Sequence, residues 1–410
     1  MQQKKFHIII FDFNNILICI FLYMYITPAY FIYGDFFATL YPIIRYGRCV
    51  LSVYFILQCI YQRKYKIDLL HLTIFLFCLT LLVSSMLGDL NLVSWINSTL
   101  QIIGCFAFAD YYKNRIDSVI KIGFWYFFLV LVVNNILMLL HPLCLFIVHN
   151  ELGNQLYHFA SSKNAFSMFC FPLLLFSHLA YEKRIIGKTQ LVVSIVQAAF
   201  GPIRALSATS SVSILLFEGI MILKKRDIIR SKKLWISVLI IVCAMQLIFT
   251  YIFRTEFVQH IVIDYLHKDA TLSGRAMIWD SAHELIGKHP ILGMGNGKNG
   301  SYYYCVVGDY EQGSIMWAHN TSLDLLTQGG LLLLASFYCI VILSIKKLFN
   351  TIKYIEQENM IFITMFFVYC IMGYTERFDF RMDLYLILGL VVSFGNTTNY
   401  KLEMRTKIND

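Results

Sequence analysis

Apolar runs close to the length of a membrane crossing follow one another through this chain, with short basic loops between them. A transmembrane helix needs about 20 predominantly apolar residues. About twelve stretches approach that length, at 10–33, 38–60, 67–87, 92–110, 119–140, 164–181, 189–202, 205–223, 234–253, 320–345, 359–374 and 380–396. They lack period-two alternation, so they read as helices rather than barrel strands. The seventh is short, and a single reentrant hairpin across 189–223 is the alternative to two crossings. A soluble fold is excluded by composition. The chain is 58% hydrophobic and 14% charged, against about 45–50% and about 25% for soluble domains. Most of the cysteines lie inside apolar runs with no CxxC pair, so they read as small buried hydrophobes and not as a disulfide framework. The first run is long and lacks a small-residue cleavage site, so it is expected to persist as a helix and not as a signal peptide.

The basic residues give the threading. With Lys4 and Lys5 on the cytoplasmic side, 23 of the 34 lysines and arginines fall in loops or tails on that side, and the bias alternates at every crossing. That is the positive-inside pattern. It leads to an all-α polytopic membrane protein with about twelve transmembrane helices and both termini cytoplasmic. The chain divides into helices at 1–253, one large extracytoplasmic loop at 254–319, and further helices with a cytoplasmic tail at 320–410. The net charge of +9 is dispersed through loops, which points to topology and anionic lipid rather than to a nucleic acid. Eleven basic residues break the rule: Arg45, Arg48, Lys163, Arg204, Arg254, Lys268, Arg275, Lys288, Lys298, Arg377 and Arg381. Any one of them could be a side chain snorkelling to the headgroups. Several converging on one face would suit an anionic substrate, above all phosphate, whose oxygens match a guanidinium's paired donors.

The polar exception is the stretch from Thr271 to Gly330. Arg275 opens an amphipathic segment in which Ile278, Trp279, Ala282, Leu285 and Ile286 recur at helical spacing, and Ser273 is its expected N-cap. This predicts a helix lying on the membrane surface, with Trp279 as an interfacial anchor and His283 and Glu284 on a solvated face. His289-Pro290 then leads into Gly293, Gly295 and Gly297, whose backbone N–H groups could form an anion nest. His319 and Asn320 stand at the mouth of the tenth run. Asn320 or Thr321 can cap that helix, and a histidine at its N-terminus is suited to take a proton from a hydroxyl. The competing reading is a histidine that only caps or bonds within the loop. Asp324 lies about one turn on and could orient the ring, and Gly329-Gly330 reads as a close-packing site between helices. No zinc-ligand spacing, Walker, GxSxG or kinase signature appears, so neither metal nor cofactor is expected.

Together these landmarks resemble the O-antigen ligase and O-unit (Wzy-type) polymerase family of bacterial membrane glycosyltransferases. They are Gly274-Arg275, Trp279, His289-Pro290-Ile291-Leu292-Gly293-Met294-Gly295 and His319-Asn320, and Lys163-Asn164-Ala165 is similar to the family's lead-in to the sixth helix. The family's Ser-Arg pair after the sixth or seventh helix is missing: Leu206 to Ser211 contains no arginine, and Arg204 stands about one turn earlier. The resemblance implies a GT-C-like, metal-independent enzyme of the bacterial cytoplasmic membrane. It would transfer a glycan from undecaprenyl diphosphate to a sugar hydroxyl on the outer face, in capsule, exopolysaccharide or O-antigen synthesis. His319 and Arg275 would be catalytic, and Arg204, Arg377 and Arg48 would bind the diphosphate. Asn320, Asp324, Trp279 and His289 would support them. The expected partners are the lipid-linked oligosaccharide, membrane lipid, a chain-length regulator and a flippase. A repeat-unit polymerase is the leading reading and a ligase acting on finished polymer the alternative. A flippase is the rival of a different class, although the chain shows no internal repeat of the kind transporters carry.

Overall fold

Helices form where the apolar runs are, because backbone groups in lipid must find partners within their own segment. The structure is a computed structural model and describes residues 12–62, 67–87, 92–150, 153–252, 255, 275–295, 304–305, 314–315, 317–349 and 355–409. The N-terminal half contains α1 (Phe13–Tyr25), single-turn α2 (Tyr30–Tyr33) and α3 (Asp35–Ala38), α4 (Tyr41–Tyr61), α5 (Leu69–Leu87), α6 (Leu92–Tyr111) and α7 (Ile116–Leu140). After a small antiparallel hairpin, β1 (Phe146–Asn150) with β2 (Gly153–Tyr157), come α8 (Ser167–Glu182), α9 (Lys188–Arg204), α10 (Ala208–Leu223) and α11 (Lys232–Ile252). Then follow α12 (Arg275–Lys288), a two-residue ladder of β3 (Tyr304–Cys305) with β4 (Ser314–Ile315), α13 (Thr321–Lys346), α14 (Gln357–Met372) and α15 (Met382–Asn409). A helix occupies each of the twelve expected stretches. Among the described residues, seven helices are long and apolar enough to cross a membrane, and four shorter apolar helices accompany them. The seventh and eighth stretches are two separate helices of 17 and 16 residues, joined at Leu206 with φ 56°. At 1.5 Å per residue they span about 24–26 Å.

Helix α8 forms the centre, with Phe169, Cys170, Phe171 and Leu173 to Phe176 essentially inaccessible. Outer helices expose apolar side chains such as Ile43, Val50, Leu57 and Ile240, the reverse of a soluble protein and the expected surface toward lipid. Cys59, Cys78, Cys105, Cys170 and Cys370 are buried as expected, but Cys19 and Cys339 face outward on that apolar surface. Ion pairs gather at one end of the bundle, where Arg115 meets Asp12 (2.8 Å), Lys113 meets Asp110 (2.8 Å), Lys183 meets Asp117 (2.8 Å) and Lys347 meets Asp68 (3.5 Å). The opposite end holds Arg275, His319 and the Gly373–Arg381 turn.

Helix α13 is broken in the middle. Gly330 adopts φ 61° and ψ −158°, a conformation essentially reserved for glycine. The carbonyls and amides freed there are satisfied by the turn after α12: Met294 N donates to Thr327 O (2.8 Å), Gly295 N to Gln328 O (2.8 Å) and Leu331 N to Pro290 O (2.8 Å). These bonds correct two expectations. The Gly293–Gly295 turn is not an open anion nest, since Gly293 N is also engaged, by His289 O at 3.0 Å; Gly297 lies outside the described residues. Gly330, in turn, admits the Ile291 backbone rather than a neighbouring helix, because a Cβ there would meet Ile291 C at 2.2 Å. Gly330→Ala should therefore lower the unfolding temperature of the detergent-purified protein by several degrees, reflecting about 1–3 kcal/mol of backbone strain plus the clash. Gly219→Ala, where the added Cβ meets nothing within 4 Å, should leave it unchanged or raise it.

Candidate active site

The site is built on the start of α13. Asn320 is the N-cap: its side chain accepts from Leu323 N at 3.1 Å, and its Nδ2 reaches Gln246 O and Tyr374 O, both at 3.3 Å. Thr321 then ties this helix to the Gly373–Arg381 turn. Its N–H donates to Gly373 O (2.9 Å), its hydroxyl donates to Glu376 O (3.0 Å) and accepts from Phe378 N (3.2 Å). His319, just before the cap, sits at φ 51°, a left-handed conformation that histidine tolerates better than most residues.

Glu376 is the hub. Its Oε1 accepts from Arg275 Nη2 at 3.3 Å, and its Oε2 lies 4.0 Å from His319 Nδ1, beyond hydrogen-bond range. Burial raises its carboxyl above the ordinary range, against the pull of Arg275 and Arg381. His319 shifts down to about 4, through burial first and then the positive charges of Arg275 and Arg377. The ring keeps 37% of its surface open, yet burial is the leading cause of the shift. Neutrality near pH 7 does not depend on how the two are weighed, because burial and both cations act in the same direction. A neutral imidazole with an open edge, beside cations and 4.0 Å from a carboxylate, can accept a proton and have the resulting charge compensated.

Arg377 is held on one edge and one face. Asp379 grips it bidentately (2.6 and 2.9 Å), and its guanidinium lies over the Trp317 ring, 3.1 Å from the centroid. Arg381 repeats the arrangement with Asp383 (3.0 and 2.6 Å) and donates to Ser167 Oγ at 2.7 Å, just after the Lys163–Ala165 turn that leads into α8.

The remaining expected residues divide. Trp279 is not an interfacial anchor: it is 1% exposed, its Nε1 donates to Ala318 O at 2.8 Å, and it packs edge-on to Phe249. With Ile278 and Ala282 it seats α12 on Leu323 of α13, so the apolar face of α12 is turned to protein. His283 is not on a solvated face, since Nε2 meets Thr250 Oγ1 at 3.1 Å and the ring lies against Tyr251. Glu284 is exposed and pairs with Lys288. Asp324 accepts from Ala318 N at 2.8 Å, so it anchors the backbone that enters His319. His289 is exposed and contributes its carbonyl to the turn. Ser273 lies outside the described residues. Arg204 is exposed at the end of α9, but the next turn reaches the site, with Thr209 Oγ1 3.4 Å from Thr375 Oγ1. Arg48 belongs to a separate cavity, bounded on one side by Arg381. Sequence reasoning missed Glu376, Asp379 and Asp383. The available signal was the i, i+2 spacing of Arg377 with Asp379 and of Arg381 with Asp383, with Glu376 directly before them in a short polar interval.

Residues 193–338 match the family model described as O-antigen ligase. The match covers 146 of the chain's 410 residues. It runs from within α9 through Arg275 and His319 into α13, so it covers both groups that face the Glu376 carboxylate but not Glu376 itself. No curated protein and no solved structure matches the chain.

Removing Arg381 would leave Asp383 a buried, uncompensated charge, which typically costs about 3–5 kcal/mol. Arg381→Met is therefore expected to lower the unfolding temperature sharply, and adding Asp383→Asn should recover part of the loss. Equal melting of Arg381→Met and wild type would refute the structural role of the pair.

Proposed function

We propose that the protein is a polysaccharide repeat-unit polymerase, transferring a glycan from undecaprenyl diphosphate to a hydroxyl of a lipid-linked acceptor on the outer face of the cytoplasmic membrane. The observation that carries this is a histidine held neutral and partly open between Arg275 and Arg377, within or beside the segment that matches the O-antigen ligase family. The chemistry follows from the geometry. His319 takes the proton of the acceptor hydroxyl as its oxygen bonds to the anomeric carbon, and the bond from that carbon to the diphosphate oxygen breaks. The electron pair leaves with the diphosphate, where fixed guanidinium donors offset the developing charge. Arg275 and Arg377 are the nearest donors, and Arg204, exposed at the end of α9, is the further candidate. Glu376 occupies Arg275 in the absence of substrate and is exchanged for a phosphate oxygen on binding. The imidazolium then formed faces the Glu376 carboxylate.

The positive-inside count supports twelve crossings with this end extracytoplasmic, as do the paired charges at the opposite end, which come from the loops expected in the cytoplasm. A ligase acting on finished polymer is the second reading, favoured by the name of the matching family. Cells lacking the protein separate the two: single repeat units on the lipid carrier mean a polymerase, and free polymer on the carrier means a ligase.

His319→Ala and Arg275→Ala should each abolish product while the protein still inserts, and normal chain lengths in either variant would sink the assignment. The pH profile is a second test. A base pushed down to about 4 keeps its proton-accepting form well below pH 6.5, so the acid limb of activity should lie near 4 to 5. Arg377→Gln removes a cation that disfavours imidazolium, so its weaker residual activity should show that limb moved upward. An acid limb unmoved by Arg377→Gln would take His319 out of the base role.

A further inference from the structure

A cavity of about 260 Å³ opens at the same end of the bundle, between α1, α4, α6 and the Phe380–Met382 turn. That is ample room for a sugar ring with ordered water around it. Arg48, Tyr41, Asn97, Ser98, Gln101 and Arg381 are in its wall. Two of these carry unused hydrogen-bonding capacity. Arg48 donates through Nε to Met24 O and through Nη2 to Thr27 Oγ1 (3.2 Å). Three of its five N–H donors therefore have no protein acceptor among the described residues, and no carboxylate pairs with it there. Arg381 across the cavity is already neutralised by Asp383. Gln101 is only 4% exposed, and its amide has no hydrogen-bond partner among the described residues. Buried polar groups are normally satisfied, and a half-buried guanidinium without a counter-ion at a membrane helix is costly.

We propose that this cavity is a subsite for an acidic sugar of the glycan, with the sugar's anionic group on Arg48 and its ring hydroxyls on Gln101 and Asn97. The inference rests on reading the chain as a glycan-transferring enzyme and concerns which sugar it selects. It moves Arg48 from the diphosphate to the saccharide. One bidentate guanidinium matches a single carboxylate or a sugar phosphate, and the amides beside it match hydroxyls.

The test is ligand-detected NMR titration of the detergent-purified full chain with methyl β-glucuronoside, methyl β-glucoside, glucose 6-phosphate and, separately, inorganic pyrophosphate. The wild type should bind the glucuronoside or the sugar phosphate at least tenfold tighter than the neutral glucoside, and whichever anion binds tighter identifies the group. Arg48→Gln should erase that preference, Arg48→Lys should keep part of it, and Gln101→Leu should weaken acidic and neutral sugars alike. Pyrophosphate binding should survive Arg48→Gln and fall in Arg275→Ala. Unfolding temperatures near wild type show that each variant is folded. Equal binding of acidic and neutral sugars by the wild type overturns the proposal, as does a preference that persists in both Arg48 variants. Loss of pyrophosphate binding in Arg48→Gln returns Arg48 to the diphosphate site and overturns it as well. If His319→Ala still made polymer while the sugar preference held, the transfer mechanism would fail and the subsite would stand.

Discussion

Two carboxylates with no exposed surface, Asp379 and Asp383, govern the functional end of this protein. A lone buried carboxylate would be intolerable, so each must hold a cation, and each holds the arginine two residues before it. The pairing fixes the whole Glu376–Asp383 turn. With Arg377 and Arg381 locked, Glu376 is set to face Arg275 and His319, while Phe380 and Arg381 close the side of the second cavity. One turn thereby forms part of two recesses, and neither could keep its shape if a pair were opened.

The same arithmetic of charge bears on substrate. Arg275, Arg377 and Arg381 are matched by Glu376, Asp379 and Asp383, so the resting cluster is close to neutral. Its members differ in how firmly they are held. Asp379 and Asp383 bind bidentately at distances down to 2.6 Å, whereas Glu376 offers Arg275 one contact at 3.3 Å. An arriving anion would therefore displace Glu376 first. Arg275 is the least firmly held of the three arginines, and Arg381, tied to Asp383 and Ser167, is the most firmly held.

The helices were legible because the demand of lipid for roughly 20 apolar residues leaves a strong mark on sequence. The Asn320 cap was also legible, since a helix N-terminus beside a polar loop restricts what an asparagine can do there. Other features were hidden for identifiable reasons. The β1–β2 hairpin lies in a short polar interval with no strong alternation. Trp279 has the spacing of a lipid-facing anchor, and only the position of Ala318 O turns it inward. The glycines after Pro290 look like free donors until α13 breaks beside them. That break depends on Gly330, forty residues away in sequence, so no local pattern could reveal it.

The break explains why the Pro290–Gly295 turn can be held so firmly by α13. An intact α13 would satisfy its own backbone and offer the Pro290–Gly295 turn nothing to bind. Opening at Gly330 exposes the Thr327 and Gln328 carbonyls, and the turn fills them. The turn is continuous with α12, whose first residue is Arg275 and whose Trp279 grips the residue before His319. Arg275 and His319 are therefore referenced to the same helix, one through the break and the other through the Asn320 cap. Motion of this turn relative to α13 would have to rupture that seam, so Arg275 and His319 are preset with respect to one another.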